Sequence, residues 1–377
     1  MEKVLTLLAF YFLVAASGKS GKAIINEEHK TLEIGAKAPD FKLQGTDGKT
    51  YTLASFKNAS LLVIVFTCNH CPTAQAYEDR IIQLAKDYKS KGVSLVAVMP
   101  NDPRSIRLDE LGYTDMSDSF EEMKLRSKEK KFPFPYLYDG KTETMSKAYG
   151  PAATPHVFIF DKERKLRYQG RIDDLEKPGG SPANKDTRNA IEALLANKEV
   201  PVKQTKVFGC SIKWAEKSEW MQKAKEEWAN EPVKVDMIDE AGVKDLIQKN
   251  TDNLLLINLW ATWCGPCANE FPEFITMNRM YRRRDFELIT ISLDDPAKKS
   301  KVLKFLKDNQ ASNTNFLFSK EGKYGLIETI DPNWQGALPY TILVEPGGKI
   351  VYFKEGIINP AELKKRIVDD PLIGRYY

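Results

Sequence analysis

Histidine and cysteine are scarce in the second half of this chain. After Cys210 the sequence contains no histidine, and its only cysteines are Cys264 and Cys267. A tetrahedral structural zinc site needs two ligands beyond such a pair, so the scarcity argues against zinc there. The net charge is only +4, which gives no indication of a nucleic-acid partner. Nucleotide, flavin and phosphate motifs are also absent, since the glycine-rich stretches read as turns.

The N-terminus begins with an apolar run that bears on localisation. Val4 to Ala16 are uncharged, and this run is too short to span a bilayer. It fits the hydrophobic region of a secretory signal peptide with cleavage near Gly18, so residues 1–18 are predicted to be a cleavable signal peptide. The alternative is a buried or interfacial N-terminal helix. We expect an exported protein, periplasmic or extracellular, without further membrane association.

The most informative motif is the pair Cys264 and Cys267. Residues 254–260 form an apolar run typical of a strand, and residues 268–281 carry apolar side chains at helical spacing. A strand, a Cys-x-x-Cys turn and a helix together bring the first sulfur to a helix N-terminus, where unpaired N–H groups and the helix dipole favour a thiolate. Because the thiolate is the nucleophile, this arrangement predicts a reactive dithiol.

The same pattern occurs earlier in the chain, around Cys68 and Cys71. An apolar run, 61–66, precedes this pair and a helical pattern, 73–89, follows it. Downstream in each copy, a proline stands directly before a further apolar strand pattern, at Pro155 and at Pro339. The order β-α-β-α-β-β-α thus occurs twice, which predicts a duplicated domain in a chain of 377 residues. The predicted boundaries are a first domain at 32–200, a linker with Cys210 at 201–236, and a second domain at 237–377.

The second copy resembles a known family. Trp260-Ala-Thr-Trp-Cys-Gly-Pro-Cys267, followed by Glu270-Phe-Pro272, is similar to the thioredoxin superfamily and, within it, to TlpA/ResA-type thiol–disulfide oxidoreductases. The resemblance covers about residues 235–377. It implies two thioredoxin-like α/β folds in tandem, a central mixed sheet flanked by helices in each, with Cys264 as nucleophile and Cys267 as resolving thiol. It also implies a cis Pro339 against the dithiol turn, and a reducing potential from the Gly-Pro dipeptide.

One departure concerns the proton transfer to the inner cysteine. Cytoplasmic thioredoxins carry a buried Asp on the strand before the motif, and Asn258 stands at that position here. TlpA/ResA-type proteins have a Glu three residues after the second cysteine, where this chain has Glu270. We therefore hypothesise that Glu270 is the acid/base group for Cys267. The alternative is an early-helix Glu that only complements the dipole.

The first copy resembles the AhpC/TSA-type redoxins, a peroxiredoxin-like branch of the same superfamily. The motifs that carry this resemblance are Gly35 to Phe41 and Phe66 to Thr73, within about residues 32–215. It implies a cis Pro155 beside the cysteines. The favoured interpretation is a second exchanging dithiol, Cys68/Cys71, in which a charged His70 tunes the site by stabilising a Cys68 thiolate.

Two alternatives remain for this domain. Peroxide reduction is suggested by Cys71-Pro72-Thr73, although the residues before Pro155 include no Arg to orient a peroxide. Copper binding is the other, with Cys68, Cys71 and His156 converging on Cu(I). For His156 itself, a partly buried ring hydrogen-bonded to backbone is the favoured interpretation.

Cys210 is either a buried inert thiol, which we favour slightly, or a resolving partner of the first site. The sequence as a whole predicts an exported thiol–disulfide oxidoreductase, and a relay between its two domains is a hypothesis. Its expected partners are protein thiols and disulfides and a thiol electron donor. No cofactor other than the redox-active disulfides and no nucleic acid is expected. The substrates, the direction of electron flow and the oligomeric state are left open by these residues.

Overall fold

The computed structural model describes residues 29–248, 251–320 and 324–375. The predicted signal peptide, residues 1–18, lies outside this part of the chain. The described residues form two mixed β-sheets with hydrophobic clusters on both faces of each, so the predicted tandem α/β fold class is confirmed. None of the helices within the described ranges is long and apolar enough to cross a membrane.

The first sheet has seven strands in the order β2-β1-β5-β4-β3-β6-β7. Its elements, in chain order, are β1 Lys42–Gly45, β2 Thr50–Thr52, β3 Leu61–Phe66, α1 Pro72–Lys89, β4 Val93–Met99, α2 Phe120–Lys130, β5 Tyr136–Tyr138, α3 Thr144–Tyr149, β6 His156–Phe160, β7 Leu166–Gly170 and α4 Asp186–Leu195. Strand β3 lies in the interior of the sheet, parallel to β4 and antiparallel to β6. All six of its residues are buried, which is why it reads as an uninterrupted apolar run.

A helix, α5 Ser218–Ala229, leads into the second sheet, whose six strands have the order β13-β12-β9-β10-β11-β8. The elements are β8 Asp236–Ile238, α6 Glu240–Gln248, β9 Leu254–Trp260, α7 Gly265–Tyr281, β10 Phe286–Ser292, α8 Lys299–Asp308, β11 Thr314–Phe318, α9 Tyr324–Ile330, β12 Tyr340–Glu345, β13 Lys349–Glu355 and α10 Pro360–Asp369. Strand β9 is buried throughout, between β10 and β12. It corresponds to β3 of the first sheet.

The predicted element order was incomplete in both domains. The structure adds a strand and a short helix before each X-Pro strand, namely β5 with α3 and β11 with α9, and further strands at the start of each domain. Strand β5 is only three residues long and follows Pro135, so it shows no sequence period. Its place in the sheet is set by parallel pairing with β4, which is a long-range contact.

The two domains meet through the segment between β4 and α2, residues 100–119. Ile106 and Leu111 of this segment belong to the same hydrophobic cluster as the Cys264–Cys267 region of the second domain. The Tyr281 hydroxyl donates to the Thr114 carbonyl at 3.0 Å. The segment therefore connects the two halves of the molecule by apolar packing and by hydrogen bonds.

Candidate functional site

The second-domain cysteines lie where the central strand β9 ends and helix α7 begins. Cys264 is the N-cap residue of α7, and its sulfur accepts a hydrogen bond from the Cys267 backbone N–H at 3.3 Å. The two cysteines form a disulfide, with Cα atoms 5.3 Å apart. Gly265 and Pro266 occupy the first helical positions, where the proline lacks only an N–H that would be unpaired anyway. The motif thus has the strand–turn–helix context that the sequence predicted.

The register of the sheet brings the X-Pro bond to this turn. Leu259 of β9 pairs with Tyr340 of the antiparallel strand β12, so Pro339 lies next to the end of β9. The Leu338–Pro339 peptide bond is cis, the isomer that the resemblance implies. Leu338 packs against the cluster that contains both cysteines. The sheet thereby gives the dithiol one wall of its site.

Glu270 lies on α7, one turn after Cys267, and its side chain is buried. Its Oε2 accepts a hydrogen bond from the Ile358 backbone N–H at 2.9 Å, whereas its Oε1 is buried without a hydrogen-bond partner among the described residues. Burial raises the pKa of Glu270 to about 7, and the Ile358 N–H offsets only part of that effect. Such a carboxyl group can hold or release a proton near neutral pH, as the acid/base hypothesis requires.

Asn258 does not take part in this proton chemistry. The residue is buried on β9, and its Nδ2 donates to the Thr341 hydroxyl of β12 at 3.1 Å. The amide thus cross-links the two strands next to the dithiol. Glu270 is therefore the titratable side chain on this part of α7 and β9 whose pKa is displaced toward neutrality.

The first-domain cysteines occupy the matching turn but are bonded differently. Cys71 is the N-cap residue of α1, and the Thr154–Pro155 bond is cis and adjacent, because Phe66 pairs with His156. Cys71 forms a disulfide with Cys210, with Cα atoms 5.9 Å apart. The interpretation of Cys210 as an inert thiol was therefore wrong. The linker folds back onto the first domain, a contact over 139 residues of chain that local pattern cannot show.

Cys68 remains a free, buried thiol beside a histidine–aspartate pair. Its Sγ lies 3.1 Å from the Thr154 Oγ1. His70 Nδ1 lies 2.6 Å from Asp118 Oδ2, and the ligand atoms of Cys68, His70 and Asp118 all lie within 4.8 Å of one another. Burial disfavours a charged ring, but Asp118 and Cys68 outweigh it and hold the pKa of His70 well above its usual value.

Asp118 accepts hydrogen bonds on both carboxylate oxygens. Oδ1 accepts from the backbone N–H groups of Asn69 and His70, at 2.9 and 3.0 Å, and Oδ2 accepts from Asn101 Nδ2 at 2.7 Å. Although burial opposes ionisation, the charge on His70 and these donors lower the pKa of Asp118. The result is a Cys–His–Asp array in which the carboxylate orients the imidazole, as in nucleophilic sites generally.

The copper set Cys68, Cys71 and His156 is not assembled. His156 is buried, its Nδ1 accepts from the Ala152 N–H at 3.1 Å, and its Nε2 lies 2.8 Å from Gln169 Oε1. Burial lowers the pKa of His156 to about 4, so the ring is neutral and both nitrogens are engaged. The favoured interpretation of His156 as a hydrogen-bonded buried ring agrees with these contacts. These contacts argue against the Cu(I) alternative for this set, because both His156 and Cys71 have other partners.

Sequence reasoning missed Asp118 and Asn101. Both lie at the ends of the irregular segment between β4 and α2, about thirty to fifty residues from His70, where neither period nor motif marks them. The one local signal is Ser119, the N-cap of α2, which fixes the helix start directly after Asp118. His70 next to Cys71 was the better signal, since a tuning histidine needs a carboxylate partner.

Comparison with known families agrees with the duplication. The Redoxin family model matches residues 33–191, and the AhpC/TSA family model matches residues 233–353. Each match covers one of the two sheets with its dithiol turn. Both halves of the chain are thus similar to redox families of one superfamily.

Among curated proteins, the thiol-disulfide oxidoreductase ResA of Bacillus subtilis is 27% identical over 105 residues, which is 28% of this chain and 54% of ResA. The thioredoxin-like protein YneN of the same organism is 23% identical over 127 residues, or 34% of this chain and 71% of YneN. The chain thus spans about half the length of ResA.

Two solved structures are also similar to about half of this chain. A hypothetical protein from Sinorhizobium meliloti is 33% identical, covering 49% of this chain and 97% of its own, with a TM-score of 0.44. An uncharacterized conserved protein from Geobacillus kaustophilus is 41% identical, covering 48% of this chain and 92% of its own, with a TM-score of 0.43.

Proposed function

Because the chain belongs to the thioredoxin superfamily, with two domains in tandem, we propose that it is an exported thiol–disulfide oxidoreductase. Cys264 and Cys267 are its principal redox pair. Cys264 attacks a disulfide of a substrate protein and forms a mixed disulfide, which Cys267 resolves by attacking Cys264. The substrate leaves as a dithiol, and the pair Cys264–Cys267 is oxidised to the disulfide.

The observation that carries this proposal is the Cys264–Cys267 disulfide at the N-terminus of α7, with Glu270 buried one turn away. A helix N-terminus stabilises the thiolate that must attack and the thiolate that must leave. A carboxyl group whose pKa is about 7 can take the proton of Cys267 as that thiol becomes the attacking group. The helix N-terminus thus stabilises the thiolate, and Glu270 transfers the proton, which are the two things that disulfide exchange needs.

The first domain is proposed as a second exchange centre of the same protein. Its disulfide, Cys71–Cys210, lies at the start of α1, and Cys68 lies beside the charged ring of His70. Two disulfides of different potential can pass electrons downhill through a mixed disulfide. We therefore include the relay between the domains in the proposal, with substrate proteins and a thiol donor as the outside partners.

Export is the remaining part of the proposal and rests on the sequence of residues 1–18. The supporting feature is the uncharged run from Val4 to Ala16, followed by the small residues Ser17 and Gly18. Expression of the full chain in a bacterial host with separation of periplasm and cytoplasm tests it. Mass measurement of the purified protein should give a mature N-terminus near residue 19, and an intact Met1 in a cytoplasmic protein would contradict export.

Glutathione redox titration of the two sites tests the redox function. The variant Cys68→Ser/Cys71→Ser/Cys210→Ser leaves only the second pair, and Cys264→Ser/Cys267→Ser leaves only the first site. The second pair should cycle reversibly with a reducing potential and should catalyse the reduction of insulin disulfides by dithiothreitol. A second pair that neither cycles nor accelerates insulin reduction would refute the proposal.

A further inference from the structure

The segment from Phe208 to Trp214 lies across the first-domain redox site in the manner of an extended peptide. We propose that this segment is a substrate mimic built into the chain, and that Cys210 is the third redox-active cysteine of the first-domain site. In this site Cys68 attacks the Cys71–Cys210 disulfide and releases the segment. The inference deepens the proposed function of the first domain and rests on it.

The backbone of the segment pairs with the residue before the cis proline. Thr154 and Cys210 form an antiparallel bridge, in which the Thr154 N–H donates to the Cys210 carbonyl at 3.0 Å. Pairing of an added strand with an exposed backbone edge is a general mode of peptide recognition. Here the added strand comes from the same chain, so its pairing does not lose the translational and rotational entropy that binding of a separate molecule would lose.

The fit at Gly209 is too close for any other residue. A Cβ atom at this position would lie 2.0 Å from the Thr154 carbonyl oxygen, and the φ of Gly209 is +147°. Real Cβ atoms do not approach a backbone oxygen so closely. The groove beside Thr154 therefore takes an extended peptide with glycine directly before its cysteine, which is the sequence that the linker provides.

The segment continues past the disulfide into two further contacts with the domain. The Lys213 N–H donates to Asn101 Oδ1 at 2.9 Å, and the Asp102 N–H donates to the Lys213 carbonyl at 2.8 Å. Ile212, the residue before Lys213, is buried. Together with Phe208, which packs against a hydrophobic cluster of the first domain, these contacts hold the segment on both sides of Cys210, so the seating of the whole segment brings the Cys210 sulfur to Cys71.

Asn101 joins the seated segment to the Cys–His–Asp array. Its Oδ1 accepts from Lys213, while its Nδ2 donates to Asp118 Oδ2, which is bonded to His70 Nδ1. The amide can satisfy both partners in only one orientation. Asn101 is therefore a positioning residue, through which seating of the linker orients the carboxylate that holds His70.

Cys68 is suited to attack this disulfide. Both sulfurs of the motif contact Thr154, at 3.1 Å from Cys68 Sγ to Oγ1 and 3.5 Å from Cys71 Sγ to the carbonyl oxygen. The same Cys-x-x-Cys turn does close into a disulfide in the second domain, at a Cα separation of 5.3 Å. The first-domain turn has the same place on its sheet and helix, and can therefore close likewise.

The exchange balances without an outside oxidant. Cys68 reacts as a thiolate paired with the His70 imidazolium, which already holds the proton, and attacks Cys71 Sγ. A Cys68–Cys71 bond forms, the Cys71–Cys210 bond breaks, and its electron pair leaves on the Cys210 sulfur, which can take the proton from His70. One disulfide and one thiol are present before and after. The half-buried Cys210 then presents a free thiol, and the groove beside Thr154 becomes available to a protein substrate.

Alkylation trapping tests the exchange in the full chain carrying Cys264→Ser/Cys267→Ser. The oxidised protein is incubated with iodoacetamide without reductant, quenched in acid and mapped by mass spectrometry. Cys210 should become alkylated while a Cys68–Cys71 disulfide accumulates. With Cys68→Ser in addition, Cys210 should stay unmodified in an intact Cys71–Cys210 disulfide.

Asp118→Asn tests the array, and Asp115→Asn is its matched control. Asp118→Asn should slow Cys210 alkylation on the order of 10- to 100-fold, because His70 loses its orienting carboxylate. Asp115 is a buried aspartate of the same segment, paired with Arg375 at 2.9 Å, and its replacement should leave the rate unchanged. Equal slowing by both replacements would overturn the role of the array.

Gly209→Ala supplies a second readout that does not depend on the array. The added methyl group should unseat the segment and shift the oxidised protein from Cys71–Cys210 toward Cys68–Cys71 by about tenfold or more. Gly179→Ala is the control, since Gly179 also has a positive φ, +74°, but no atom within 4 Å of its Cβ position. An unchanged disulfide distribution in Gly209→Ala would overturn the close fit.

Three results would overturn the inference as a whole. These are a Cys71–Cys210 disulfide that persists while Cys68 itself is alkylated, Cys210 alkylation that proceeds equally without Cys68, and an oxidised protein that contains no Cys71–Cys210 pair. The second-domain cysteines are absent from this experiment. Failure of Cys264 and Cys267 to cycle would therefore count against the proposed function and leave the trapping result as it stands.

Discussion

Replacement of Glu270 by Gln should remove a pH dependence of stability that the wild-type second domain carries. The carboxyl group is buried, one of its oxygens has no hydrogen-bond partner among the described residues, and its pKa is raised from 4.5 to about 7. In the unfolded chain the group ionises near its ordinary pKa. Between these two pH values the unfolded state loses a proton that the folded state keeps, so the stability of the folded state falls as pH rises.

The size of the effect follows from the two pKa values. A rise from 4.5 to about 7 corresponds to about 3 kcal/mol of preference for the protonated form. We expect the measured loss of stability to be smaller, about 2 kcal/mol. The residues of the turn before α7 are partly exposed, so water can lower the free-energy cost of burying the charged carboxylate. At pH 4 the Glu270→Gln variant should resemble the wild type in stability, and its stability relative to the wild type should rise by about 2 kcal/mol by pH 8.

Urea unfolding of the oxidised protein at several pH values measures this difference. The transition of the second domain is followed by tryptophan fluorescence, with the two domains treated as separate transitions. Glu273→Gln is the matched control, since Glu273 lies on the same helix and is only partly buried. A difference between Glu270→Gln and wild type that stays constant from pH 4 to pH 8 would refute the raised pKa and, with it, the acid/base role.

Three further perturbations test other parts of the structure. Asp118→Asn should destabilise the first domain by about 3 kcal/mol in urea unfolding, since His70 keeps a buried charge without its partner; a loss below about 1 kcal/mol would contradict the ion pair. The His156 ring, with a pKa of about 4, should show no titration by NMR between pH 5.5 and 8. The first domain should lose stability as the pH falls from 6.5 toward 4, because the ring takes up a proton in the unfolded chain but not in the folded domain. Tyr281→Phe should lower the free energy of unfolding by about 1 kcal/mol, because the Thr114 carbonyl loses its hydrogen-bond donor. Amide hydrogen exchange at residues 100–119 should then become faster, and unchanged protection would argue against the contact.

The sequence predicted the two dithiol turns because their signals are local. A buried central strand reads as a continuous apolar run, and a helix that starts at a cysteine shows its apolar period within one or two turns. The Cys-x-x-Cys pairs therefore marked the same corner of both sheets, and the resemblance placed the prolines before β6 and β12 beside them. Glu270 was found from the resemblance to TlpA/ResA-type proteins, which have a Glu three residues after the second cysteine.

Short elements and long-range pairs were not accessible in this way. Strand β5 has three residues, and only its pairing with β4 makes it a strand. Asp118 reaches His70 because the segment after β4 returns to the end of β3, which no spacing encodes. Cys210 is the clearest case, since its sequence neighbourhood is compatible with an inert thiol and with a disulfide partner alike.

The sequence by itself thus determined the fold class, the duplicated Cys-x-x-Cys turns and the candidate redox pair Cys264 and Cys267, since each turn depends on residues within about twenty positions of one another. Only the tertiary structure decided which sulfur Cys71 meets and which carboxylate His70 meets. Those choices are made by the seating of the linker on Thr154 and by the path of residues 100–119. Both result from packing between distant parts of the chain, where the burial of a whole segment, and not the preference of any single residue, sets the partner.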